Sequence, residues 1–154
     1  MEKVKDVLVL MLERLVGILL LVMSGVTFAQ VLCRYVFIIS LPWAHELVTL
    51  IFIWAVWLSV PIGVDRMEHL SVTFFLSHRS TIRGFPLTLV HFPMAIVFFL
   101  VVLILSFTVV EAFEGMRLLS IPVPINARYY AAIVGSVITI FLLGTKIYKL
   151  MKEG

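Results

Sequence analysis

The residues able to do chemistry are few and far apart: four histidines, nine acidic residues and one cysteine are spread over 154 positions. A membrane haem centre needs histidines at matched depth on facing helices. His45 falls at the start of one apolar stretch and His91 near the opposite side of another, so most of a bilayer would separate them. His69 and His78 share a polar segment with Asp65 and Glu68, at a spacing that fits no standard metal-ligand motif. They read as interfacial histidines. Cys33 stands alone, which excludes an internal disulfide, a two-cysteine redox centre and a multi-thiolate metal site. Ser, His and acid side chains form no nucleophile motif, and no glycine-rich loop could cradle a phosphate. The expectation is therefore no catalysis, no cofactor and no metal.

The elements that would position these residues are set by hydrophobicity. The chain is 62% hydrophobic and 14% charged, against soluble norms near 45–50% and about 25%, and its mean hydropathy is +1.16. So small a domain could not hide that much apolar surface from water. Lipid is its solvent. A membrane helix needs about 20 largely apolar residues, and four stretches qualify, at about 15–33, 43–64, 85–110 and 129–148. The runs are continuous rather than alternating, and a lipid-facing strand would have to close into a barrel. The predicted fold is an all-α integral membrane protein, a single membrane domain over residues 1–154 with four transmembrane helices.

Basic residues fix the expected orientation. Nine of them (Lys3, Lys5, Arg14; Arg66, Arg79, Arg83; Lys146, Lys149, Lys152) flank the spans on the side of the termini, and three (Arg34, Arg117, Arg128) lie on the other. The positive-inside rule then places both termini and the middle loop in the cytoplasm. The first span is too long for a secretory signal, and no small-residue cleavage site follows it. Residues 2–14 carry Val4, Val7, Leu8, Met11 and Leu15 along one stripe, and residues 66–79 repeat the idea. Both segments are open to two readings, as interfacial helices or as extensions of the spans. Ile121-Pro122-Val123-Pro124 excludes a regular helix and predicts an extended link.

No Asp, Glu, Lys or Arg falls near a bilayer midplane, where charges mark ion or proton pathways. A small proton-coupled exporter loses its main requirement. What remains are packing features. Ala131, Gly135 and Thr139, with Ala132 and Ser136 beside them, form a small-residue stripe in the fourth span, and Gly17, Ser24, Gly25 and Thr27 form a looser one in the first. Each could serve packing within the chain or contact with a partner. Trp54 and Trp57 lie deep in the second span, away from the interfacial belt, where an indole donor needs an acceptor on a protein neighbour. They point to a partner surface, with lipid-facing bulk as the alternative. Arg34 and Glu46 should lie at similar depth at the outer interface and could pair, with Tyr35 and Trp43 anchoring beside them.

The run from Arg34-Tyr35 through Trp43, Glu46 and Trp54 to Asp65-Arg66-Met67-Glu68-His69-Leu70-Ser71-Val72 resembles the small membrane subunit (DctQ-type) of tripartite ATP-independent periplasmic (TRAP) transporters. The likeness extends over nearly the whole chain. One departure is in the fourth span, where Tyr129-Tyr130-Ala131-Ala132 lacks a proline common in that family. The resemblance implies a non-catalytic scaffold in a bacterial or archaeal inner membrane. Its partners would be a large multi-span subunit, which would bind sodium, and a periplasmic substrate-binding protein delivering an organic acid. The residues assigned to structural or partner contacts are Arg34, Tyr35, Trp43, Glu46, Trp54, Trp57, His69 and Gly135. The alternative is a four-helix anchor or a haem-carrying electron-transfer subunit.

Overall fold

The computed structural model describes the backbone of residues 2–77 and 87–153, and the side chains of 5–66 and 93–147. Four helices account for almost all of it: α1 (Glu2–Tyr35), α2 (Pro42–Ser77), α3 (Leu87–Ala112) and α4 (Ala127–Glu153). Each contains a stretch long and apolar enough to cross a membrane, namely Lys5–Tyr35, Pro42–Arg66, Pro93–Ala112 and Ala127–Ile147. No strand occurs among the described residues, only an isolated bridge between Arg117 and Pro124. The side chains of His69, His78 and His91 lie outside the described residues, as do positions 78–79 and 85–86.

Residues 2–14 are continuous with the first span, and 66–77 with the second. At 1.5 Å per residue, the 34 residues of α1 reach about 51 Å, well beyond a hydrocarbon core of about 30 Å. One end of each long helix therefore stands clear of the apolar layer. It is the charged end, where Lys5 pairs with Asp65 at 2.7 Å and Glu13 with Arg66 at 2.6 Å.

The helices lie in the order α1, α2, α4, α3: α1 packs on α2, α2 on α4 and α4 on α3. α1 runs antiparallel to α2 through the short link 36–41. α4 runs parallel to α2, because Trp54, Trp57 and Val64 meet Ala127, Gly135 and Lys146 in that order. α3 returns antiparallel to α4, with Asn126 Nδ2 donating to Val110 O at 3.0 Å and the Phe113 and Tyr129 rings stacked at 5.7 Å. Burial is concentrated in α4. In the membrane-spanning stretch of α3 11% of residues are buried, against 44% in α4. Lipid tails offer no hydrophobic drive to cover Met94, Val97 or Ile104, all exposed.

α4 holds its central place through small residues. Ala131, Ser136, Thr139 and Leu142 are fully buried, with Ala132 and Leu143 nearly so. The looser stripe in α1 has no such role, since Gly17, Ser24, Gly25 and Thr27 are all exposed. α1 instead turns Val9, Leu12, Val16, Leu19, Met23, Val26 and Gln30 inward, at the three-to-four spacing of one helix face.

Candidate functional site

The point where α2 crosses α4 follows from two residue types. Pro61, inside α2, has no N–H to give the carbonyl four residues back, so Trp57 O lacks its usual helical donor. That carbonyl faces Gly135. A Cβ built on Gly135 would lie 2.6 Å from Trp57 O and 3.1 Å from Trp57 Cβ, too close for any side chain. Glycine lets the two backbones meet, and its Cα–H groups lie against the freed carbonyl, the geometry of a weak Cα–H···O contact. Next to it, Thr139 Oγ1 donates to Gly135 O at 2.7 Å, so this buried hydroxyl is satisfied within α4.

Two long side chains fasten the same seam above and below. Trp54 Nε1 donates to Ala127 O at 3.0 Å, at the start of α4. Lys146 Nζ donates to Val64 O at 2.6 Å, and Lys146 is only 6% exposed. Both reach toward the N-terminal end of their helix, the direction in which helical side chains lean. The acceptor demanded by a deep indole is thus supplied by the chain itself. Trp57 and Gly135 likewise meet each other.

Glu46 has a different partner from the one its depth suggested. With Gly135 level with Trp57, the start of α4 falls near Thr49, so α2 rises about 10 Å above it. The segment 113–126 fills that step, and there the Glu46 carboxylate accepts the backbone N–H groups of Leu119 at 3.1 Å, Ser120 at 2.9 Å and Ile121 at 3.2 Å. These three amides have no helix or strand to bond to, because Pro122 and Pro124 exclude regular structure there. The pair that Arg34 and Glu46 could have made is not formed. Arg34 is exposed and makes no ion pair among the described residues.

Around Arg34 this end of the helices is apolar and open. Tyr35 is 76% exposed and Trp43 42%. α1 closes with the Val36 N–H on Leu32 O at 2.8 Å, the Ile39 N–H then reaches back to Cys33 O at 2.9 Å, and the residue that turns left-handed is Ile38, with φ 57°. Glycine usually takes that position. A β-branched residue there costs about 1–2 kcal/mol, yet Ile38 is 89% exposed and recovers nothing from packing within the chain.

The charged contacts at the far end were not foreseen from the sequence. In the sequence Lys5, Arg66 and Lys146 speak only to orientation, and their pairing with Glu13, Asp65 or a backbone carbonyl depends on which helices are neighbours. Among the described residues no group of three or more His, Cys, Asp or Glu side chains converges as a metal site would require. The arrangement offers helix packing, a clamped loop and broad apolar faces.

No protein of curated function matches the chain. The family model for tripartite ATP-independent periplasmic transporters, DctQ component, matches residues 23–153, which include all of α2, α3 and α4 and α1 from Met23 onward. With four membrane-crossing helices and a match over most of its length, the chain belongs to the DctQ family, the small membrane subunit of TRAP transporters.

Proposed function

We propose that this chain is the static scaffold of a secondary transporter that imports an organic acid on a cation gradient. A large membrane subunit would carry the substrate and sodium sites, and a periplasmic binding protein would deliver the acid. Both termini would face the cytoplasm across an inner membrane, as the nine-to-three division of basic residues favours. The observation that carries the reading is the row of helices. A chain whose α2–α4 seam is closed by backbone contact, while most of α1, α2 and α3 stays uncovered, is suited to present fixed faces to a larger membrane protein. Its spans also carry no midplane acid or base through which an ion could pass.

Uptake of radiolabelled organic acids into proteoliposomes tests it. The large subunit with its binding protein is expected to transport only when this chain is included. Robust uptake by the large subunit without it would overturn the scaffold role. A Soret band in the purified chain would favour a haem-carrying subunit instead.

A further inference from the structure

Along the seam between α1 and α2 runs an open groove. Its upper stretch, about 310 Å³, lies between Leu20 on α1 and Phe52, Val56 and Val60 on α2. Its lower stretch, about 420 Å³, passes Val16, Gly17 and Ile62 and ends at Glu13 and Arg66. Leu20 and Ser59 belong to both, so the two are one channel along the helix surfaces. From Phe52 to Arg66 the groove follows 14 residues of α2, about 21 Å, somewhat more than one leaflet of a hydrocarbon core about 30 Å thick.

The polarity of the groove is one-sided. Its walls are aliphatic and aromatic, and the Ser59 hydroxyl is already committed to Ala55 O at 2.6 Å, so nothing along the length asks for a hydrogen bond. The inner mouth is the opposite. There the Arg66 side chain is 68% exposed, and its Nε and one terminal nitrogen hold Glu13 Oε1 at 3.0 and 2.6 Å, leaving the other edge of the guanidinium open among the described residues. Gly17 keeps the lower stretch open, since a Cβ there would meet nothing within 4 Å. An occupant must be apolar for about one leaflet's depth and anionic at one end.

We propose that the α1–α2 groove binds a phospholipid, with one acyl chain lying between Leu20 and Ser59 and the phosphate on the open edge of Arg66. The inference is independent of the transporter reading, because it depends only on this seam and on the charged end lying outside the hydrocarbon. A guanidinium–phosphate contact is charge-assisted and is the natural use for an arginine at that depth. A transmembrane helix of a protein partner fits the same groove less well, being about 10–12 Å wide and apolar at both ends of its buried stretch.

Native mass spectrometry of the full chain in detergent, titrated with palmitoyl-oleoyl phosphatidylglycerol or with dioleoylglycerol, tests this. Gly17→Phe places a ring in the groove from a position whose Cβ meets nothing within 4 Å, and Gly144→Phe, equally open and exposed on α4, is the control of equal bulk. Circular dichroism and elution volume verify that each variant folds. One tight phosphatidylglycerol is expected on the wild type and on Gly144→Phe and none on Gly17→Phe. Arg66→Gln is expected to weaken phosphatidylglycerol about tenfold and to leave dioleoylglycerol unchanged. Equal phospholipid binding by wild type and Gly17→Phe would overturn the site. Insensitivity to Arg66→Gln would overturn the headgroup contact. Loss of a co-purifying protein from Gly17→Phe with lipid stoichiometry unchanged would give the groove to a partner helix and also overturn the proposal.

Discussion

The two seams of α2 are built on opposite principles. Toward α4 it makes a closed contact in which a backbone carbonyl meets a glycine and the flanking residues are small and fully buried. Toward α1 it leaves a groove and is fastened at one end by the pairs Lys5–Asp65 and Glu13–Arg66. The difference shows what binds helices when the solvent is lipid. Without a hydrophobic drive, close packing needs small residues. Where larger side chains such as Leu20 and Phe52 flank the contact, a groove remains beside it, and the apolar face of Val9, Leu12, Val16 and Leu19 is supplemented at one end by charges that water and headgroups screen.

The largest expected effect is on the closed seam. Gly135→Val puts side-chain atoms within reach of Trp57 O, a backbone atom that cannot rotate away. We expect about 3 kcal/mol or more of destabilisation, read as a lower unfolding midpoint in detergent. A midpoint equal to wild type would mean that the α2–α4 contact is not tight. Glu46→Ala removes the shared acceptor of three amides and is expected to cost about 2 kcal/mol, because hydrogen bonds to a charged group are strong but water reaches part of this site. Limited proteolysis should then cut within 113–126 while leaving the helices intact. Arg34→Ala should change neither readout, which separates a loop clamp from an ion pair.

Smaller effects sharpen the contrast. Trp54→Phe keeps the ring and loses one hydrogen bond to Ala127 O, expected to cost about 1 kcal/mol. Ile38→Gly is expected to move stability the other way, up by about 1 kcal/mol, since it relieves a left-handed β-branched residue. If the same change weakens assembly with a membrane partner, Ile38 is held strained in order to be presented. On the open seam, Glu13→Gln is expected to change stability by less than about 1 kcal/mol, and less still at high salt. A loss comparable with Gly135→Val would erase the distinction between the seams.

Much of this was legible in the residues. Four spans follow from four apolar runs, and the stripe of Ala131, Gly135 and Thr139 marks a helix face suited to close approach. Pro122 and Pro124 mark a link that no helix or strand could satisfy. The partners were not legible. Trp54 and Glu46 each announce the need for a hydrogen-bond partner, yet their partners lie 73 or more residues away in sequence, and only the lateral order of the helices brings them close. Arg34 and Glu46 stand at similar depth, but depth is one coordinate, and pairing also needs the side chains to face each other. The stripe in the first span shows the same limit: its composition is like that of the fourth, and it remains exposed.

The sequence by itself determined how many times this chain crosses a membrane and that no charge lies midway across, because hydrophobic length is a local property summed along one helix. Family membership, too, is written in its residues. The tertiary structure alone decided that α2 lies between α1 and α4 and that Glu46 clamps a loop. It also decided that one seam is closed and the other open. In lipid every apolar face is equally comfortable, so neighbours are chosen by shape and by a few polar contacts, and those exist only once the helices are assembled.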